Sequence, residues 1–188
     1  MPLRQALRTL LAVALALSAG PERAHAEAPP RVQLKTFPVP GHAMARIDAT
    51  LTIEVPPERV WALVSNCNRF AEFMEDVEES RQLERHGPRA RCSLVVDVPF
   101  PFGTLRSITD TLEERRPGML RQSWKLVSGD FYYDEGFWEL TPDARGHTLV
   151  RYVALTEPKL PLPRGMLQSG QEDFVRDLLL RLRQRLLR

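Results

Sequence analysis

The sequence predicts an α+β fold: a seven-stranded antiparallel sheet, two short helices after its first strand, and a long helix at the C-terminus. Three patterns carry that expectation. Leu51, Ile53 and Val55 alternate with Thr50, Thr52 and Glu54, as a half-buried strand requires. From Val77 to about Thr156, turn-forming groups recur at short intervals: His86-Gly87-Pro88, Pro99 to Gly103, Arg116-Pro117-Gly118, Ser128-Gly129-Asp130 and Pro142 to Gly146. Six strands fit between these marks, and such short connections allow only antiparallel neighbours. After Pro161 and Pro163 the apolar period lengthens to about 3.6 residues, placing Phe174, Val175, Leu178, Leu179, Leu182 and Leu186 on one helical stripe.

The chain opens with Arg4 and Arg8, an apolar stretch from Leu10 to Ala19, and small residues at Ala24 and Ala26, the order of a cleaved secretory signal. An apolar run of about ten residues is half the roughly twenty that a membrane-spanning helix needs. Residues 1–26 are thus expected to be removed, leaving an exported protein, periplasmic or extracellular, that begins near Glu27. Three of the 26 basic residues (Arg4, Arg8, Arg23) and one of the 24 acidic residues (Glu22) precede that point, so the mature chain balances at 23 of each. A near-neutral chain with dispersed charge carries no dedicated nucleic-acid surface. Its length fits a single domain and gives no sign of an obligate oligomer, so a monomer is expected.

Residues 27–42 form a Pro-rich leader, with Pro29, Pro30, Pro38 and Pro40, and residues 43–188 form the folded domain. Pro57 suits the first turn of a helix that runs to about Ser65, with Val60, Trp61 and Val64 at helical spacing. Asn66 and Asn68 interrupt it, and Phe70, Phe73 and Met74 suggest a second short helix. The terminal helix has two candidate starts, Pro163 and the capping-box pair Ser169 and Glu172. Cys67 and Cys92 are the two cysteines; an oxidising compartment admits a bridge between them, and two separate thiols fit the sequence as well.

Val55-Pro56-Pro57-Glu58-Arg59-Val60-Trp61-Ala62-Leu63-Val64, followed by Arg69-Phe70-Ala71-Glu72-Phe73-Met74, resembles the START-like (SRPBCC) superfamily. Within it the chain is most similar to the polyketide cyclase/dehydrase and lipid-transport group, including coenzyme Q-binding START-type proteins. Gly136 to Pro142, Thr148 to Tyr152 and Lys159 to Pro163 extend the likeness, which spans Ala43 to the C-terminus. The resemblance implies a helix-grip fold, a curved sheet wrapped around the C-terminal helix with an apolar cavity between them. It also implies an apolar small molecule or lipid as partner, a quinone-like molecule among them.

Strand parity points Trp124, Leu126, Trp138, Leu140, Val150 and Tyr152 toward that helix, as pocket wall or as ordinary core. Gly136 and Ala154 leave space among them, and Met166 and Leu167 stand at the start of the helix, near the expected mouth. Phe100-Pro101-Phe102 forms an apolar loop suited to a lid, to transient membrane-surface contact, or to packing on its own hairpin. Arg181, Arg183, Arg185 and Arg188 crowd the last turns, where positive charge favours the helix dipole and could meet anionic head groups.

The chain holds no HExxH, GxSxG or Gly-rich phosphate loop, and its histidines are scattered, so neither a metal nor a cofactor is expected. A binding protein is the first functional expectation. A polyketide cyclase or aromatase-like enzyme is the second and would need an inward acid–base group, for which Arg106, Asp110 and Tyr152 are candidates. A protein-interaction module whose cavity is closed by aromatic side chains is the third.

Overall fold

The computed structural model describes residues 31–98 and 101–188. The expected signal segment, the first residues of the leader, and Pro99-Phe100 of the apolar loop lie outside the described residues. The strands are β1 (Gln33–Pro38), β2 (Ala45–Ile53), β3 (Val77–His86), β4 (Arg89–Val98), β5 (Gly103–Arg116), β6 (Met119–Gly129), β7 (Phe131–Pro142) and β8 (Thr148–Pro158). They make one antiparallel sheet in the order β1-β2-β8-β7-β6-β5-β4-β3. Helix α1 (Pro57–Val64) and a 3-10 helix (Cys67–Glu72) follow β2, and α2 (Arg164–Leu187) closes the chain.

The sheet has eight strands where the sequence predicts seven. The additional one, β1, comes from the Pro-rich leader and pairs with β2 from Gln33 opposite Thr50 to Pro38 opposite Ala45. Most of its side chains are exposed, so it shows none of the alternation that marks the others. Backbone pairing and the half-buried Leu34, which packs against the core, hold it, and its place at a sheet edge is where proline is tolerated.

The two short helices fall where their sequence predicts, with one change of type. Pro57 opens α1, which buries Val60, Trp61, Leu63 and Val64. The second is a 3-10 helix, and Asn66 starts it, its side chain accepting a hydrogen bond from the Asn68 amide at 3.1 Å. Helix α2 begins directly after Pro163, and its stripe buries Val175, Leu178, Leu179, Leu182 and Leu186. The glycine-bearing turns supply the positive φ that hairpins need, as at Gly118 (φ 73°) between β5 and β6.

Cys67 and Cys92 are joined as a disulfide, with Cα atoms 5.9 Å apart and a sequence separation of 25. It fastens the 3-10 helix to the inward face of β4, and both cysteines are buried. A loop of this size contributes about 3 kcal/mol by constraining the unfolded chain. The double variant Cys67→Ser/Cys92→Ser should lose about that much in urea denaturation under oxidising conditions, with an unchanged fold by circular dichroism. A variant as stable as its parent would refute this role for the bridge.

Candidate functional site

Register decides which side chains meet on the concave face. Ala49 lies opposite Tyr152, Tyr152 opposite Trp138, and Trp138 opposite Gln122, forming one inward row across four strands. The neighbouring rows bring Leu51, Val150 and Leu140 together, and Ala154, Gly136 and Trp124. The face therefore changes character along the strands.

At one end it is solid. Ile53, Val60, Val64, Leu140, Val150, Leu179 and Leu182 are fully buried, and the Thr148 hydroxyl donates to the Val55 carbonyl at 2.6 Å. Next comes an aromatic layer. Trp138 meets Phe73 edge-on at 6.4 Å and Tyr152 at 4.6 Å, and Trp124 stacks on Tyr152 at 5.5 Å. Beyond that layer the inward side chains Leu94, Val96, Thr109, Leu126, Thr156, Leu167, Gln171 and Phe174 are only half-buried.

A carboxyl group stands among them. Asp134 shares the parity of Gly136 and Trp138, so it points inward from β7, opposite Thr156 on β8. Its Oδ1 accepts hydrogen bonds from Trp124 Nε1 at 3.0 Å and from the Thr156 hydroxyl at 3.2 Å. Burial pushes the Asp134 carboxyl above the usual range; the two hydrogen bonds oppose that shift, and the charge of Glu135 adds to it. Burial likewise raises the Tyr152 phenol, with the Asp134 charge contributing. The Tyr152 hydroxyl has no hydrogen-bond partner among the described residues, yet no walled-off polar side-chain atom there is unsatisfied. That hydroxyl is therefore not fully walled off, although the residue is buried.

The structure separates the residues that sequence parity grouped. Trp124 and Leu126 are half-buried on the concave face, and Tyr152 presents its hydroxyl to the space beside them. Trp138, Leu140 and Val150 are packed into solid core. Gly136 does not leave a void, because the Trp124 ring occupies the place its side chain would take. Met166 is 60% exposed, whereas Leu167 is half-buried. Arg106 and Asp110 have the opposite parity on β5 and are exposed; Asp110 pairs across the strands with Arg91 at 2.7 and 3.0 Å. Of the three acid–base candidates, Tyr152 alone faces inward. Sequence reasoning missed Asp134, although its even spacing from Trp138 and Leu140 carried the signal.

The C-terminal arginines are largely neutralised within the chain. Arg183 makes two bonds to Glu54 at 2.9 and 2.7 Å, Arg185 bonds Glu72 at 2.9 Å, and Arg181 pairs with Glu75. Beside them, a cleft of about 190 Å³ separates α2 from the segment before β3. Met74, Phe174 and Leu178 form its apolar wall, and Glu75, Asp76, Asp173 and Asp177 its exposed acidic lining. Among the described residues no cluster of His, Cys, Asp and Glu could hold a metal ion, and no helix is long and apolar enough to cross a membrane.

Residues 53–183 match the family model described as polyketide cyclase/dehydrase and lipid transport. The chain belongs to that family. Solved structures extend the likeness beyond it. A STAR-related lipid transfer protein from Xanthomonas axonopodis superposes with a TM-score of 0.75 at 17% identity, over 84% of this chain and 94% of its own. The lipid transfer and protein localization domain of human StarD13 gives 0.74 at 14% identity, over 83% and 84%. The Zhui aromatase/cyclase from a Streptomyces strain gives 0.59 at 16%, over 76% and 90%. At these identities the structures establish a shared START-like fold. No curated protein sequence matches.

Two substitutions test this geometry within the polyketide cyclase/lipid transport fold. A Cβ on Gly136 would collide with the Val153 carbonyl and the Trp124 ring, so Gly136→Ala should cost about 1–3 kcal/mol in thermal melts. An undiminished melting temperature would refute the close packing. For Asp134 the folded state holds its proton more tightly than the unfolded chain. Its contribution to stability is complete below the unfolded value of about 3.9 and is lost as pH rises through the folded value. Asp134→Asn keeps an acceptor for Trp124 and removes that loss. The variant should thus gain on its parent from about pH 4 upward, the gap levelling above the folded value. Parallel stability curves from about pH 3 to 8 would contradict the raised carboxyl.

Proposed function

We propose that the chain is an exported, monomeric carrier holding an apolar small molecule or lipid between the concave face and α2. One observation carries the reading. Beyond the aromatic layer Leu94, Val96, Thr109, Leu126, Leu167 and Phe174 stay half-buried beside the buried Leu105 and Ser107, where a filled core would close over them all. The family description and the lipid-transfer names of two structural neighbours support an apolar ligand. Trp124, Leu126, Asp134, Tyr152 and Thr156 are our ligand-contacting residues, with Leu167 at the rim. Leu140 and Val150 serve as floor. Export is supported by the signal at residues 1–26 and by the Cys67–Cys92 bridge, which suits an oxidising compartment.

Asp134 favours a second reading. A cyclase or aromatase-like enzyme needs an inward acid, and burial shifts the Asp134 carboxyl upward, in the direction such a role requires. Among the described residues its hydrogen-bond partners are Trp124 and Thr156, neither of them a base. Binding is therefore the primary reading.

Native mass spectrometry of the protein recovered from the periplasm or medium tests it. The expected result is a chain beginning at Glu27 with an extractable apolar molecule bound. Leu126→Trp should lose that molecule while keeping the parent's melting behaviour. An empty protein that takes up no lipid or quinone from a panel would overturn the carrier reading. Asp134→Asn that binds a polyketide but no longer converts it would establish the enzyme instead.

A further inference from the structure

Two clefts meet along α2. The first, of about 190 Å³, lies against Gly170, Asp173, Phe174 and Asp177, and the second, of about 180 Å³, against Gln184, Arg185 and Arg188. Met74, Glu75 and Arg181 line both, so the two form one groove between the helix and residues 71–76, divided by the Arg181–Glu75 ion pair. Its halves differ in charge. In the second half Arg185 is already bonded to Glu72 at 2.9 Å. In the first, Asp76, Asp173 and Asp177 have no ion-pair partner among the described residues, whereas Glu54, Glu72 and Glu75 nearby are each taken by an arginine of α2. Burial and the charges of Glu75, Asp97 and Asp177 push the Asp76 carboxyl up, against the pull of Arg181. Beneath these carboxylates the wall is apolar: Met74 and Leu178 are buried and Phe174 is half-buried.

We propose that this groove docks a segment of a partner protein in which lysine or arginine flanks an apolar side chain, the cations seated among Asp76, Asp173 and Asp177 and the apolar group on Met74, Phe174 and Leu178. The surface lies outside the aromatic layer of the concave face, and the inference does not depend on the carrier reading. Lysine and arginine join an apolar stem to a charged head, so a single side chain answers both features of the groove, its stem on the wall and its head at the rim. The carboxylates do not gather into a group that could hold a metal ion, and charge spread along a rim suits cations spread along a chain. Anionic lipid head groups and nucleic acid would meet three uncompensated carboxylates beside Arg185 and Arg188, which disfavours both as occupants. Rim charges of this kind steer a partner of opposite sign and fix its register, while the apolar wall supplies contact area.

Three labelled peptides of equal length test this, titrated into the mature protein by fluorescence anisotropy. One carries leucines flanked by lysines and arginines, one the same leucines flanked by glutamates, and one the cations with serine in place of leucine. The first should bind, the second should not, and the third should bind about tenfold more weakly than the first. Asp173→Asn/Asp177→Asn removes exposed like charges, so it should keep the parent's melting temperature while weakening the first peptide about tenfold. Asp173→Lys/Asp177→Lys should reverse the preference and take the glutamate peptide. Leu126→Trp, on the concave face, should leave the first peptide's affinity within about twofold, which separates the groove from the ligand site. Equal binding of the first peptide by the parent and the asparagine variant overturns the inference, as does its loss in Leu126→Trp. Parent bound to phosphatidylglycerol vesicles and displaced from them by the first peptide would assign the groove to a membrane instead.

Discussion

One helix has to cover the concave face of an eight-stranded sheet, and the rest of the architecture answers that mismatch. Helix α2 has 24 residues and spans about 36 Å. At about 10 Å across, it overlies only two or three strands spaced about 4.8 Å apart. It runs closest to β2, and the remaining strands need other cover. Helix α1 packs on β7 and β6, and the 3-10 helix packs on β3, where the disulfide fastens it to β4. Both elements follow β2 in the chain and so close the same end of the sheet. The core is solid where they lie, and inward side chains such as Leu94, Thr109 and Leu126 stay half-buried where they do not.

The polar interactions of α2 follow the same division. Its C-terminal half is tied by Arg181, Arg183 and Arg185 to Glu75, Glu54 and Glu72, and Arg59 donates to the Leu186 carbonyl at 2.9 Å. Its N-terminal half makes neutral bonds instead, Gln171 to the Thr156 carbonyl and the Ala45 amide to Gln168, both at 2.9 Å. Exposed ion pairs contribute at most about 1 kcal/mol each, so the buried stripe from Val175 to Leu186 supplies most of the hold. The pairs fix the helix's register over the solid end, while in the N-terminal half the half-buried Glu172 accepts from Gln168 Nε2 at 3.3 Å.

How much of this was legible in the sequence depended on burial. Strands β2 and β4 to β8 and both main helices bury one face, and a buried face writes its period into the residues; β3, mostly exposed, is marked by its flanking turn instead. Strand β1 half-buries Leu34 alone, so its six residues read as leader. Parity placed Trp124, Trp138 and Tyr152 on one face correctly, but it does not say how far an adjacent ring extends. Space inferred above Gly136 is therefore filled by Trp124, and residues grouped as pocket wall divide into core (Trp138, Leu140, Val150) and half-buried wall (Trp124, Leu126). Arg106 and Asp110 follow the same rule from the other side: their parity already assigned them to the convex face, with Arg91 as cross-strand partner for Asp110.

Asp134 shows why a polar residue at an inward position is worth more than an apolar one in such a reading. A leucine there would be one more core side chain, whereas a carboxylate must find partners or give up its charge. Its partners depend on a residue with no side chain at all. Trp124 reaches Asp134 only because Gly136, its opposite neighbour on β7, carries no Cβ to hold the indole away from the sheet. With the ring lying over that position, its edge meets the carboxyl and its face meets Tyr152. The spacing Asp134, Gly136, Trp138 on β7, with Trp124 opposite the glycine, thus determines at once that the carboxyl is held, that one of its oxygens stays free, and that an aromatic surface adjoins it.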